Sequence, residues 1–214
     1  MGPITFTLTG VLVALLVVVL MKLFKTPHAP APTAAPVEDL ANLKPTQARA
    51  GDVISIAGAG DNMTDLDFTS DRCTWFQAGA HNWFELSGPY KERRVAMRVD
   101  ASGDGAVSIS TEARQPPLED LGLSEEDLAQ MDERQNTGDD FDFDGKVWMY
   151  RMSREVQSTR SDQPQPVGFY CWEYREQCGT GILAIRKEQA EPFAVTRYRG
   201  IPAADVTIYR GTTG

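Results

Sequence analysis

The hydrophobic pattern of this chain changes period along its length. Residues 4–21 carry no charge, and residues 11–21 are almost entirely Val and Leu. At about 1.5 Å per residue, a helix of that length spans roughly 27 Å, enough for the hydrocarbon core of a bilayer. Beyond residue 50 the pattern becomes short runs rich in aromatic and β-branched residues, bounded by Gly, Pro, Asp or Asn: 53–56, 74–77, 83–86, 94–99, 107–110, 146–152, 169–174, 182–186, 193–199 and 206–209. These predict strands. A helical period is strong in one place. Ser124-Glu125-Glu126-Asp127 has the form of a capping box, with Leu123 and Leu128 spaced as a hydrophobic staple. The helix predicted there runs to about Gln135 and buries Leu128 and Met131.

The apolar N-terminal run is expected to be an uncleaved membrane anchor, residues 1–25. A signal peptide needs a basic n-region and a small-residue cleavage site. Residues 1–10 have no charged side chain, and the small residues between Ala29 and Ala35 are crowded by Pro30, Pro32 and Pro36. Lys22 and Lys25 follow the run and no basic residue precedes it, so the positive-inside rule favours a single pass with the soluble module in the cytoplasm. Residues 26–49 hold Pro27, Pro30, Pro32, Pro36 and Pro45 in an Ala- and Thr-rich context, which reads as an extended spacer rather than a helix. Residues 50–214 are then one β-rich module of ordinary domain size.

Charge sharpens this picture. The net charge is −9, but the residues from 50 onward hold 17 basic and 28 acidic side chains, a net of −11. Residues 117–144 supply eleven of those acids (Glu119, Asp120, Glu125, Glu126, Asp127, Asp132, Glu133, Asp139, Asp140, Asp142 and Asp144) against Arg134 alone. Such a module repels nucleic acid and anionic headgroups. Its acidic strip is either a solvated face or a surface for a basic partner.

An internal repeat is also legible. A shift of 88 residues lays Phe84-Glu85-Leu86 on Trp172-Glu173-Tyr174, Val95-Ala96-Met97-Arg98 on Leu183-Ala184-Ile185-Arg186, and Ala106-Val107-Ser108 on Ala194-Val195-Thr196. A shift of 87 lays Ile54, Ile56 and Gly58 on Phe141, Phe143 and Gly145. The expected fold is therefore mainly β: two similar small β units, about 50–116 and 138–210, joined by one acidic helix at about 124–135, plus the N-terminal transmembrane helix.

Candidate chemistry is sparse. Asp140-Phe-Asp142-Phe-Asp144-Gly145 opens like a calcium loop, but the twelfth position, which should be acidic, is Arg151. The three carboxylates are expected instead on the outer face of a strand. His81 is the one histidine outside the linker that could act as a base, and its eight-residue spacing from Cys73 matches no nucleophile signature. Cys73, Cys171 and Cys178 suit neither a disulfide framework nor a zinc site, and are expected as buried or half-buried thiols. Gly58-Ala-Gly60-Asp61 reads as a hairpin turn. Glu85 and Glu173 occupy matching repeat positions, where a solvated or Arg-paired carboxylate is expected over an acid–base pair. Trp75, Trp83, Trp148 and Trp172 are expected to pack in the core or across hairpins. No catalytic residue, cofactor or metal ligand is assigned from these patterns.

Several of these stretches carry a resemblance. Gly51-Asp52-Val-Ile, Trp83-Phe-Glu85-Leu, the run from Leu118 to Leu128, Phe141-Asp-Phe-Asp-Gly-Lys-Val-Trp148 and Phe169-Tyr-Cys-Trp172-Glu-Tyr174 resemble the bacterial domain of unknown function 4178 (DUF4178) over nearly all of residues 50–210. The resemblance implies a β-rich module in bacterial membrane-linked contexts associated with membrane stress or polyamines, and supplies no catalytic residues. The resulting expectation is a membrane-anchored accessory or scaffold protein whose module binds a protein partner in an envelope-associated system. The alternative is a tethered enzyme or binding protein for a small cation such as a polyamine. A pocket gathering Glu85, Glu173 or His81 would favour the second; an exposed apolar patch or sheet edge would favour the first.

Overall fold

Twelve strands and one α-helix build the part of the chain that the computed structural model describes, residues 40, 42–103, 105–111 and 116–211. The expected span at 4–21 lies outside the described residues. Among those described, no helix is long and apolar enough to cross a membrane.

The first meander runs through β3 (Arg72–Ala78), β4 (His81–Tyr90), β5 (Arg93–Asp100) and β6 (Val107–Ser110). The second runs through β8 (Lys146–Arg160), β9 (Gln163–Glu176), β10 (Gly181–Glu188) and β11 (Ala194–Ile201). Every pairing is antiparallel. β6 joins β11 at one seam and β3 joins β8 at the other, so the eight strands close into a barrel in the order β3-β4-β5-β6-β11-β10-β9-β8. Closure removes the free edges that an open sheet of this size would expose.

Both meanders thus share one strand order, but their registers differ. Leu86 faces Met97, whereas Tyr174, the counterpart of Leu86 under the 88-residue shift, faces Leu183 rather than Ile185. The offset is two residues, which keeps each side chain on its face because the strand period is two.

Each meander is covered on its outer side by a different element. β1 (Val53–Ile56), β2 (Leu66–Thr69) and β12 (Val206–Tyr209) form a three-stranded sheet in the order β12-β1-β2. Ile54, Ile56, Leu66, Phe68 and Ile208 on this sheet meet Phe84, Leu86, Val95, Met97, Val99, Val107 and Ile109 on the outer face of the first meander. Gly88 in β4 lets β2 approach, because a Cβ there would run into the Thr69 carbonyl. Buried Asp52 ties the two ends of this sheet together: its carboxylate accepts from Arg210 Nη1 at 2.6 Å and from the backbone N–H groups of Arg49 and Gly211.

The second meander is covered by α1 (Glu125–Arg134). Ser124 caps it as expected: its hydroxyl accepts from Asp127 N, while the Asp127 carboxylate accepts from Ser124 N. Leu123 and Leu128 are both buried with Met131, Leu118 and Leu121 against Trp148, Tyr150, Trp172, Tyr174, Leu183, Ile185 and Val195. Trp172 Nε1 donates to the Leu128 carbonyl at 3.1 Å, and Asp132 accepts from Tyr170 Oη and Ser153 Oγ, locking the helix to the sheet. Full burial of a side chain such as Leu128 stabilises by about 1.5–3 kcal/mol.

A bulge in β8 sets which side chains enter the barrel. Tyr150 pairs with Tyr174 and Ser153 with Trp172, so one extra residue sits between them. Before the bulge, even positions such as Trp148 and Tyr150 pack outward; after it, Arg154 and Val156 point inward. One inserted residue exchanges the faces of a strand. The N-terminal half of β8 also pairs with β7 (Asp140–Phe143), outside the closed ring.

Sequence and structure differ at two points. β2 was not expected; only Leu66 and Phe68 point inward in that short run, so the pattern is thin. Cys178 is exposed, while Cys73 and Cys171 are buried as expected, because Cys178 lies in the turn between β9 and β10 rather than within a strand. The tryptophans pack as expected: Trp75, half exposed, lies against Phe84 across the β3–β4 hairpin, and the other three are buried.

Candidate functional site

The barrel interior is the least ordinary part of the molecule. Its apolar lining is Phe76, Ala78, Trp83, Val156, Phe169, Cys171, Ile182, Ala184 and Tyr198. Strand alternation adds charged groups to that lining. On β4, Phe84 and Leu86 pack outward, so Glu85 points in; on β5, Met97 and Val99 pack outward, so Arg98 points in. Glu173 lies between outward Trp172 and Tyr174, and Arg186 follows outward Ile185.

These four side chains form two ion pairs that span the barrel. Arg98 Nη2 donates to Glu173 Oε2 at 2.9 Å, joining β5 to β9. Arg186 Nη2 donates to Glu85 Oε1 at 2.6 Å, joining β4 to β10. In the ring of eight strands each pair sits four places apart, on opposite walls. Tyr198 Oη donates to Glu85 Oε1 at 2.8 Å and accepts from Arg186 Nη2 at 3.0 Å. Arg175 donates a further bond to Glu173 Oε1 at 3.2 Å. The guanidinium planes also lie against rings: Arg98 over Trp83 at 4.9 Å and Arg186 over Phe76 at 4.8 Å.

The electrostatics follow from this enclosure. Burial pushes the Glu173 carboxyl up, and the guanidiniums of Arg98 and Arg175 more than offset that, holding it below its ordinary value. Burial alone would lower Arg186, but Glu85 beside it leaves its pKa raised. Burial raises the Tyr198 hydroxyl and pushes the Cys171 thiol up to about 11. His81 is lowered, first by burial and then by Arg154 and Arg98, against the pull of Asp100 at 3.7 Å. Both of these carboxylates are already partnered by arginine, so neither is free to act as a general base.

The other sequence candidates are dispersed. Cys73 packs outward beneath the small sheet while His81 opens β4 on the inner face, so they lie on opposite sides of the β3–β4 hairpin and form no dyad. Asp140, Asp142 and Asp144 are exposed, with Phe141 and Phe143 turned toward the helix-side core, and Asp144 pairs with Arg197 at 2.7 Å. Among the described residues no group of three or more His, Cys, Asp or Glu is placed to hold a metal ion. Gly58 and Gly60 do form the turn of the β1–β2 hairpin. Glu85, Glu173 and, at the same end of the interior as Glu173, His81 are the candidates that the fold gathers. Sequence reasoning missed Tyr198, Arg175 and Arg154 as their neighbours. The available signal was a charged residue flanked on both sides by outward apolar ones, which alternation alone reads as solvent-facing.

The acidic strip is partly consumed by the fold. Asp127 caps α1, Asp132 fixes it to the sheet, Asp139 pairs with Arg134 and Asp144 with Arg197. Glu119, Asp120, Glu125, Glu126, Glu133, Asp140 and Asp142 remain exposed without an ion pair among the described residues.

In comparison with known proteins, no family model matches the chain, and no curated protein or solved structure is significantly similar to it.

Proposed function

We propose that this chain is a membrane-anchored accessory or scaffold protein whose β-barrel module binds a protein partner with a basic surface in a bacterial envelope-associated system. The observation that carries this reading is where the unneutralised charge lies. Inside the barrel Glu85 and Glu173 are each met by arginine; outside, along 119–142, seven exposed carboxylates have no partner among the described residues. A basic surface meeting that strip gains steering and specificity. The alternative, a site for a small cation such as a polyamine, is disfavoured inside the barrel, where the cation would have to displace a guanidinium from Glu85 or Glu173. The finer parts of the reading belong with it: the anchor at 4–21, a cytoplasmic module, the resemblance to domain of unknown function 4178, and the two meanders as copies of one unit slipped by two residues.

The test is crosslinking and capture from membranes with the full-length chain, a chain lacking residues 1–25, and the full-length triple variant Glu125→Lys, Glu126→Lys, Glu133→Lys. The partner should be retained by the first and lost from the triple variant, and the shortened chain should leave the carbonate-washed membrane pellet. Capture that is indifferent to the charge reversal would reject the acidic face as the docking surface. Release of the full-length chain by carbonate would reject the anchor.

A further inference from the structure

At one end of the barrel a cleft of about 240 Å³ opens between β5, β6, β9, β10 and β11, walled by Arg98, Asp100, Ser108, Arg175, Thr180 and Ile182. Arg98, only 6% exposed, lines this cleft and gives one N–H to Glu173, with no other hydrogen bond to a described residue. Ser108 is 4% exposed, and its hydroxyl likewise has no side-chain partner there. Arg154, opposite Cys171 on the inner face of β8, lies over the Trp83 ring and makes no ion pair among the described residues. Trp83 Nε1 is buried and has no hydrogen-bond partner. This end of the interior thus holds three guanidiniums, Arg98, Arg154 and Arg175, against Glu173 and Asp100. A buried indole N–H without a partner, guanidinium donors to spare and an excess of guanidinium over carboxylate call for an anion.

We propose that the cleft binds a small carboxylate carrying an amino or hydroxyl group. The carboxylate takes the free forks of Arg98 and Arg175, planar groups that suit two coplanar oxygens and already grip the resident carboxylate of Glu173. Ser108 donates a further bond. Asp100 selects the second group: its Oδ1 is occupied by the backbone N–H groups of Ser102 and Gly103, and its Oδ2, 3.7 Å from His81 Nε2 and engaged in no hydrogen bond among the described residues, is the acceptor on the same wall. The volume lies below the range of about 300–1,000 Å³ usual for drug-sized ligands, which limits the occupant to a few heavy atoms. This site is separate from the acidic outer face and does not depend on it.

The experiment follows the indole N–H resonances of the 15N-labelled full-length chain during titration, with the Trp83 signal assigned from Trp83→Phe. Glycine, glycolate, acetate, sulfate and putrescine are added in turn, to about 10 mM, ample for a weak small-ligand site. Glycine or glycolate should move the Trp83 signal saturably, acetate should do so more weakly, and putrescine should not. Arg175→Gln, at a half-exposed position, should weaken the response at least about tenfold, the loss expected for a charge-assisted bond. Ser108→Ala should weaken it several-fold with the other indole signals unchanged, which keeps the proposal testable if the arginine variant fails to fold. An unsaturable response, an equal response to sulfate that survives both variants, or saturable binding of putrescine would each overturn the proposal.

Discussion

Arg98 and Glu173 are 75 residues apart in sequence, yet the Arg98 guanidinium donates to the Glu173 carboxylate across the whole width of the barrel at 2.9 Å. Both side chains are 8% exposed. Removing two charges from water costs several kcal/mol, and their attraction offsets that only while both are present. Arg98→Met should therefore destabilise by about 2–5 kcal/mol, at the lower end if Arg175 swings to cover Glu173. The double variant Arg98→Met, Glu173→Leu should recover most of that loss. Urea unfolding of the two singles and the double decides it; a double variant as unstable as the sum of the singles would show that the pair acts by shape rather than charge.

The pH dependence has a definite sign. Glu173 is held below its ordinary 4.5 and His81 below its ordinary 6.5. In both cases the unfolded chain binds protons more readily, so stability rises with pH. The His81 contribution is complete above pH 6.5 and erodes as pH falls through its folded value; that of Glu173 is complete above pH 4.5 and is lost further into acid. Urea midpoints between neutrality and about pH 3 should fall in that order. The Arg98→Met, Glu173→Leu chain should show a smaller acidic step, what remains coming from Asp61, Asp127 and Asp162, which are also held below their ordinary values, and should keep the other step. A flat profile below pH 4.5 in the parent would refute the assignment to Glu173.

Thiol chemistry should separate the cysteines. Burial pushes Cys73 and Cys171 up to about 11, and neither is accessible, whereas Cys178 is exposed. The thiolate is the reactive form. At neutral pH in the folded chain, a maleimide should label Cys178 alone, with the other two labelled only after denaturation. Rapid labelling of Cys171 without denaturant would mean that the barrel interior opens far more readily than its packing indicates.

The helix cover and the strand beside it should respond very differently to truncation. Ile185→Ala removes a fully buried side chain between β10 and the helix-side core and should cost about 2–5 kcal/mol. Ser124→Ala removes the cap of α1 and should cost about 1 kcal/mol. Asp142→Ala alters an exposed carboxylate and should cost under about 1 kcal/mol. Thermal or urea unfolding ranks the three; a large loss at Asp142 would point to a structural role for the β7 carboxylates that their exposure does not suggest.

Much of this fold is legible in the chain itself. The Ser124 capping box, the Leu123–Leu128 contact and the extent of α1 depend on residues within a few positions of one another, and the structure follows them closely. Eleven of the twelve strands, all but β2, fall where the sequence reads as strand, since the strand period of two is a local property. The β1–β2 turn was likewise given by its glycines.

What tertiary structure decided is the meaning of the polar face. Alternation marks Glu85, Arg98, Glu173 and Arg186 as lying opposite the apolar stripe, but a polar face can look out on water or in on a closed barrel. Only the pairing of β3 with β8 and of β6 with β11 turns it inward. That closure brings residues 75 and 101 positions apart into contact. The bulge after Tyr150 is equally invisible to a pattern of period two, yet it directs Arg154 and Val156 into the interior. Local sequence sets which residues share a face; which faces meet, and which charges are thereby removed from water, is a property of strand pairing over long separations, and no short window of the chain contains it.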